Sequence, residues 1–192
     1  MGIVRDEHTA VHKFQKRPQR LFEERELSVD ECAGYLQKAI NLLKSQTAAS
    51  GSSEGTLKVI ITVSPIRYAK YSYHGSQLSK ATLLLAADKL VKENPGVVSY
   101  FPAYEIMNDE LRDYRFYKED MLHPSEQAVE YIWERFRATY FGKAAELFLE
   151  DWRPIREALG HKPFHPESEE HQKFIARTEE KKRQFEEKYH LL

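Results

Sequence analysis

One apolar run constrains the fold of this chain more than any other feature. Residues 57–63 read Leu-Lys-Val-Ile-Ile-Thr-Val, and Ser64-Pro65 ends the run. A continuous β-branched run, unlike an alternating one, predicts a strand buried on both faces, as in a parallel sheet covered by helices. A helical stretch over about residues 78–92 follows, then a turn and a second strand over residues 97–101. This order predicts an α/β fold built on a βαβ unit, with adjacent parallel strands.

The predicted sheet has one edge at which a functional site is expected. Ligands of parallel sheets collect beyond the carboxyl ends of the strands. Those ends lead into residues 64–77 and residues 102–124. We therefore expect functional residues in these two segments.

The rest of the chain predicts helices around this unit. Ser28-Val-Asp-Glu31 has the pattern of a capping box, and an apolar stripe that ends near Lys44 follows it. A short strand is expected over residues 2–5, and an amphipathic helix after Ser125. Residues 161–192 hold balanced charges and few apolar side chains, so they predict a solvated helix with few core contacts.

Composition excludes several classes of protein. The chain has 192 residues, and 29 Lys and Arg against 30 Asp and Glu give a net charge of −1. There is no basic excess that would indicate a nucleic-acid partner. A single cysteine, Cys32, excludes an intrachain disulfide framework and a multi-cysteine metal cluster. No apolar run approaches the roughly 20 residues that cross a bilayer, and the first residues do not form a signal peptide. We expect a cytoplasmic protein without a membrane partner.

The segment Glu119-Asp-Met-Leu-His-Pro-Ser125 carries the strongest candidate chemistry. Asp120 and His123 lie three residues apart just before a predicted helix. A carboxylate beside a histidine fixes the imidazole tautomer and stabilises the imidazolium, so that the histidine acts as a general base. Pro124 at the first helical position, with Ser125 near the cap, is expected to hold the pair rigidly. The spacing leaves an alternative open, in which Asp120 and His123 cap backbone groups at the helix entry.

Several longer motifs resemble one known family. They occur in the family's order and read Ile61-Thr-Val-Ser-Pro-Ile-Arg67, His74-Gly-Ser-Gln-Leu-Ser-Lys-Ala-Thr-Leu-Leu-Leu-Ala86, Tyr100-Phe-Pro-Ala-Tyr-Glu-Ile-Met107, Arg115-Phe-Tyr-Lys-Glu-Asp-Met-Leu-His-Pro-Ser125 and Tyr131-Ile-Trp-Glu-Arg-Phe136. Together they resemble the C-terminal half of the GSCFA-domain proteins, over about residues 10–141.

This resemblance implies a fold and a chemistry. The GSCFA family is similar to the SGNH, or GDSL-like, hydrolases, which have a three-layer α/β/α, flavodoxin-like domain with a parallel sheet. The resemblance implies that Asp120 and His123 match the D-x-x-H pair that completes a Ser–His–Asp triad for ester hydrolysis. A small-molecule or glycan ester is the implied substrate, and neither a cofactor nor a metal is needed.

The nucleophile motif of the family is missing from these 192 residues. Gly-Ser-Cys-Phe-Ala does not occur: Cys32 lies in Asp-Glu-Cys-Ala-Gly, and the only Gly-Ser pairs are Gly51-Ser52 and Gly75-Ser76. We therefore expect residues 1–141 to be the C-terminal part of a GSCFA/SGNH-like domain that lacks its N-terminal strands. Residues 142–192 are expected to form a charge-rich helical extension.

Without a nucleophile, the chain alone is not expected to hydrolyse esters. Two alternatives to an autonomous enzyme stay open. One is a non-catalytic binding module. The other is one half of a split or truncated hydrolase that needs a partner chain or self-associates through an open sheet edge.

Four further residues are candidates for substrate binding. Arg67 follows the first strand and suits an anionic group, with pairing to an acid of a neighbouring loop as the alternative. His74 faces the same edge, and its alternative is a solvated loop side chain. Ser64 also follows the strand, but Pro65 after it lacks the backbone N–H that an oxyanion hole commonly uses. The resemblance also places His12 near the site.

Overall fold

The computed structural model describes residues 2–4, 22–49, 57–163 and 167–191. The chain divides into two compact units, Met1–Ile132 and Trp133–Leu192. In chain order the elements are β1 (Gly2–Val4), β2 (Phe22–Glu24), α1 (Val29–Ala49), β3 (Val59–Thr62), α2 (Ser72–Glu93), β4 (Val98–Phe101), α3 (Ala103–Glu105), α4 (Glu126–Tyr140), α5 (Lys143–Gly160) and α6 (Glu169–Lys188).

A parallel βαβ motif organises the first unit. β3 and β4 pair in parallel, with Val59 opposite Val98 and Thr62 opposite Phe101. α2 connects the two strands and packs on β4. Gly96 ends the connection with a φ of 75°, which a residue without a Cβ reaches at no steric cost. The predicted parallel pair is confirmed, and α2 is longer than predicted at its N-terminus.

Only one face of β3 is covered. Val59 and Ile61 pack against a core that α1, α2 and β4 supply with Ala33, Ile40, Ala86, Leu90 and Val98. Ile60 points the other way and is 39% exposed. The prediction of a strand buried on both faces is therefore wrong for the described residues, because α1 and α2 pack on the same side. These residues form a mostly helical α/β fold with a small two-stranded parallel sheet.

The capping box at the start of α1 forms as predicted. The Ser28 backbone N–H donates to Glu31 Oε2 at 2.9 Å, and the Glu31 N–H donates to Ser28 Oγ at 3.2 Å. The helix ends at Ala49, beyond the predicted end near Lys44. The short strand predicted near the N-terminus is β1, and it pairs antiparallel with β2, a partner that the sequence analysis missed.

A second core positions the segment between β4 and α4. Its buried members are Met107, Phe116, Tyr117 and Ala128, with Leu111 and Ile132 packed against them. α3 continues into a single π-helical stretch, Ile106–Leu111, and a short 3-10 turn, Tyr114–Phe116, follows. π-helical turns are rare and occur frequently at functional sites.

In the second unit, an aromatic cluster packs α6 against α5. The ring of Phe185 lies 4.9 Å from that of Phe148 and 5.1 Å from that of Trp152, and Phe185 is 6% exposed. Asp151 accepts hydrogen bonds from Lys188 at 2.5 Å and Tyr189 at 2.7 Å. The prediction of few core contacts for residues 161–192 is wrong, because one face of α6 meets the aromatic side chains of α5.

Among the described helices, none has a stretch that is both long and apolar enough to cross a membrane.

Candidate functional site

Backbone hydrogen bonds close the loop that carries Asp120 and His123. Tyr117 and Pro124 form an antiparallel bridge at its base, and the Lys118 N–H donates to the His123 carbonyl at 2.8 Å. At the tip, Met121 adopts a φ of 59°. This left-handed conformation costs a non-glycine residue on the order of 1 kcal/mol, and such residues cluster at functional sites. The loop therefore holds a defined shape.

Asp120 and His123 are in direct contact. His123 Nδ1 and Asp120 Oδ2 are 2.5 Å apart, which is within hydrogen-bonding distance. Asp120 Oδ1 accepts from the backbone N–H groups of Leu122 at 2.9 Å and His123 at 3.0 Å. These backbone hydrogen bonds, reinforced by the imidazole, lower the pKa of Asp120 to about 2. The carboxylate is therefore ionised at neutral pH.

The second imidazole nitrogen of His123 is not held by the loop. The side chain is 54% exposed, and its Nε2 has no hydrogen-bond partner among the described residues. A general base needs this arrangement, in which one nitrogen is held by a carboxylate and the other is open to a substrate or a nucleophile.

The helix entry is capped by a different residue. Ser125 Oγ accepts from the Ala128 N–H at 3.3 Å, and α4 begins at Glu126. Pro124 lies in the bridge before the helix, so its predicted place at the first helical position is wrong. Asp120 caps N–H groups of its own loop instead of those of α4. The catalytic role of Asp120 and His123 stays a prediction.

Arg67 joins the end of β3 to the loop of Asp120 and His123. Its backbone N–H donates to the Leu122 carbonyl at 3.0 Å. The guanidinium lies 4.0 Å from the ring centroid of Tyr117 and 5.4 Å from that of Tyr114. No carboxylate of the described residues forms an ion pair with Arg67. The predicted alternative, in which Arg67 pairs with an acid of a neighbouring loop, is therefore not observed among these residues.

A cavity of about 130 Å³ opens beside Arg67. We call it the Arg67 cavity, and it is lined by Arg67, Met107, Asn108, Arg112, Asp113, Tyr114 and Tyr117. Arg112 and Asn108 were not predicted from the sequence. Both lie in a stretch rich in charged residues, which by pattern alone is typical of a solvated helix.

Ser64 lies two residues after the end of β3, and both its side chain and its backbone carbonyl accept hydrogen bonds. Its Oγ accepts from the Ile66 N–H at 3.3 Å, and its carbonyl accepts from Lys80 Nζ at 2.5 Å. Lys80 is 8% exposed, and burial lowers the pKa of its ammonium. The sequence analysis missed this lysine. The spacing does indicate that Lys80 is buried, because Lys80 lies seven residues, or two helical turns, before Ala87 on the buried face of α2.

The structure gives no contact between His74 and the loop of Asp120 and His123. His74 lies exposed in the first turn of α2, and its side chain makes no hydrogen bond with the described residues. His12 lies outside the described residues. A role in substrate binding stays a prediction for both. Within the described part of the chain, no three His, Cys, Asp or Glu side chains are grouped so that they could hold a metal ion.

Comparison with known families decides which family the chain belongs to. The sequence model of the GSCFA family matches residues 3–136. This chain belongs to the GSCFA family. The match includes Arg67, Asp120 and His123, and it confirms the predicted resemblance to the GSCFA family. That the chain is the C-terminal half of the domain stays a prediction. A second match, to the C-terminal domain of GSCFA domain proteins, covers residues 152–192 of this GSCFA chain and includes α6. No curated protein and no solved structure matches.

Proposed function

We propose that this GSCFA chain supplies the acid–base half of an ester hydrolase of the SGNH type. His123 is the general base, and Asp120 orients it. The observation that carries the proposal is the 2.5 Å contact between His123 Nδ1 and Asp120 Oδ2, with the second carboxylate oxygen fixed by two backbone N–H groups. This arrangement selects one imidazole tautomer and leaves Nε2 open.

In the proposed reaction, a serine attacks the carbonyl carbon of an ester. The serine proton moves to His123 Nε2, and the Asp120 carboxylate stabilises the resulting imidazolium without taking the proton. His123 then gives the proton to the departing alcohol, which leaves an acyl-enzyme. Water attacks this acyl group by the same route, and the acid is released. The low pKa of Asp120 supports this role, because the carboxylate stays charged throughout.

The serine is proposed to come from a Gly-Ser-Cys-Phe-Ala segment that is not part of these 192 residues. Ser64 is the nearest rival, but its Oγ accepts from the Ile66 N–H and Pro65 offers no N–H to an oxyanion. A three-layer α/β/α domain with additional strands is part of this proposal. The exposed face of β3 supports it, since Ile60 is left uncovered by the described residues.

The substrate class is proposed to be a small-molecule or glycan ester, by analogy with similar folds. The mechanism requires no metal or organic cofactor. Location in the cytoplasm stays a prediction from the sequence.

Two proteins test the proposal: this chain, and the same chain joined to the Gly-Ser-Cys-Phe-Ala half of another GSCFA protein. With p-nitrophenyl acetate, the chain alone should stay at background, and Ser64→Ala should change nothing. The joined protein should turn over. His123→Ala and Asp120→Asn should each lower its kcat by roughly 10³- to 10⁴-fold.

Matched controls are His161→Ala and Asp88→Asn, which change exposed residues far from the loop in sequence. Both should leave kcat within about 2-fold of the parent. Full activity in His123→Ala, or ester turnover by the chain alone that Ser64→Ala abolishes, would contradict the proposal.

A second candidate is a non-catalytic binding module. The absence of Gly-Ser-Cys-Phe-Ala from these residues favours it. It predicts that the joined protein stays inactive although it folds.

A further inference from the structure

The Arg67 cavity holds more positive charge than the described residues neutralise. Arg67 and Arg112 both line it, and neither pairs with a carboxylate of the described chain. Among the described residues that line it, Asp113 is the one acid. Arg115 already contacts the Asp113 carboxylate. The backbone N–H of Arg115 donates to Asp113 Oδ1 at 3.0 Å, and the Arg115 Nε lies 3.8 Å from Asp113 Oδ2. Like charges in one cavity repel each other, and an anion between them removes that cost.

The guanidinium of Arg67 is held in place before any ligand arrives. It stacks at 4.0 Å on the ring centroid of Tyr117, which is 9% exposed and belongs to the second core. Its Nη1 also lies 3.5 Å from the Met121 carbonyl oxygen. A planar guanidinium fixed on an aromatic face keeps its N–H edge free for the two oxygens of a carboxylate or phosphate.

Arg112 directly follows the last residue of the π-helical stretch. It has a φ of 52°, and its backbone N–H donates to the Met107 carbonyl at 3.2 Å. Met107 is 1% exposed, so the backbone of Arg112 is attached to the core while its side chain stays accessible. Asn108 adds an amide group to the same cavity.

The cavity is connected to the loop of Asp120 and His123. Arg67 contacts the carbonyls of Met121 and Leu122, the two residues between Asp120 and His123. Tyr117, a cavity wall, forms the bridge with Pro124 at the base of the same loop. A small molecule with its anionic group in the cavity therefore lies against the loop that carries the proposed general base.

We infer that the Arg67 cavity is an oxyanion-binding subsite, which selects ester substrates that carry a carboxylate or a phosphate group. A volume of about 130 Å³ suits a group of this size. The substrate class rests on the proposed function, but the binding of an oxyanion by Arg67 and Arg112 does not need the nucleophile.

The test is binding to this chain alone, followed by NMR of the arginine Nε–H groups. The probes are succinate, inorganic phosphate and the neutral isostere succinamide. Succinate, phosphate or both should shift the Arg67 and Arg112 resonances saturably with a Kd on the order of 1 mM, and succinamide should not. If only succinate saturates the shifts, the group that the cavity binds is a carboxylate. If only phosphate does so, the group is a phosphate.

Three variants sharpen the test. Arg112→Gln, at an exposed position, should raise Kd at least about 10-fold, and Asp113→Asn should lower it because the one acid in the wall is removed. Lys118→Gln removes an exposed cation of the same loop that does not line the cavity, so Kd should change less than about 2-fold. No saturation by either anion, or an unchanged Kd in Arg112→Gln, overturns the inference.

His123→Ala separates this inference from the proposed function. The variant should bind the anion as the parent does, while the joined protein that carries it loses ester turnover. In the joined protein with His123 intact, anion binding without ester turnover would support the subsite and contradict the proposed hydrolase. Ester turnover without anion binding would support the proposed hydrolase and contradict the subsite.

Discussion

Asp120 uses its two carboxylate oxygens for two different purposes. Oδ1 accepts two backbone N–H groups and so fixes the shape of the loop, whereas Oδ2 contacts the imidazole of His123. The same side chain is therefore a structural cap and the partner of the proposed base. The capping interpretation of the D-x-x-H spacing is correct only for the loop, because Asp120 accepts from the N–H groups of Leu122 and His123 and not from those of α4. The functional interpretation stays a prediction.

Acid should weaken the fold through Asp120. Its pKa is about 2 in the folded chain, against roughly 3.9 for an unfolded Asp. Between these values the unfolded chain binds more protons, so stability rises with pH there. The Tm difference between the parent and Asp120→Asn should be largest above about pH 4 and shrink as the pH falls towards 2. Thermal unfolding by circular dichroism from pH 2 to 7 measures it.

Asp88→Asn is the control for this experiment. Asp88 forms an exposed ion pair with Lys92 at 2.7 Å, and exposed pairs add little stability. A gap between the parent and Asp120→Asn that stays constant from pH 2 to 7 would contradict the prediction.

At the scale of elements, α6 shows how few apolar residues are needed to dock a helix. Its exposed faces carry the charges that the sequence analysis counted, while Phe185 and the following Tyr189 lie one turn apart on the buried face. Opposite them, α5 presents Phe148 and Trp152. Aromatic pairs of this kind stabilise beyond the area that they bury.

Phe185→Ala should therefore destabilise the pair of helices by about 3 kcal/mol, because a large, buried ring is replaced by a cavity. Urea unfolding followed by the fluorescence of Trp152 and Trp133 measures the loss. Phe174→Ala is the matched control on the same helix, since Phe174 is 38% exposed, and its cost should stay below about 1 kcal/mol. Equal costs for the two variants would show that α6 is not docked.

At the scale of the whole molecule, the two compact units parallel the two family matches. The unit Met1–Ile132 covers nearly the same residues as the GSCFA match at 3–136. The second unit contains the match to the C-terminal domain at 152–192. In the first unit, β3 pairs only with β4 among the described residues. The outer edges of β3 and β4 and the face around Ile60 are thus without a strand partner among the described residues, which leaves them for further strands or another chain.

Association through the outer edge of β3 is expected to depend on Ile60. The mass of the parent chain should rise with concentration above the 22.5 kDa of one copy, as measured by light scattering after size exclusion. Ile60→Lys should hold the mass near that of one copy, because a lysine on an edge strand opposes pairing. Leu42→Lys, on α1 and 61% exposed before the change, should leave association intact. A parent mass that is independent of concentration would contradict the prediction.

The sequence by itself determined the features that depend on neighbouring residues. The capping box of Ser28 and Glu31 and the contact of Asp120 with His123 each span three residues, so the backbone brings the groups together once the local structure forms. The parallel pair of β3 and β4 is only slightly less local, because one helix connects the two strands and a crossover of that length permits a parallel pair.

Tertiary structure decided which surfaces are covered and which distant side chains meet. Ile60 and Ile61 are the same residue type, yet only Ile61 packs on the core, because α1 and α2 lie on one side. Phe185 is buried only because α5 is there to receive it. Arg67 contacts Tyr117, which lies fifty residues later in the sequence, and no pattern in either segment predicts this contact. The pattern along one segment predicts which face of a helix or strand is apolar, but only the packing of the elements decides which faces are covered and which distant side chains meet.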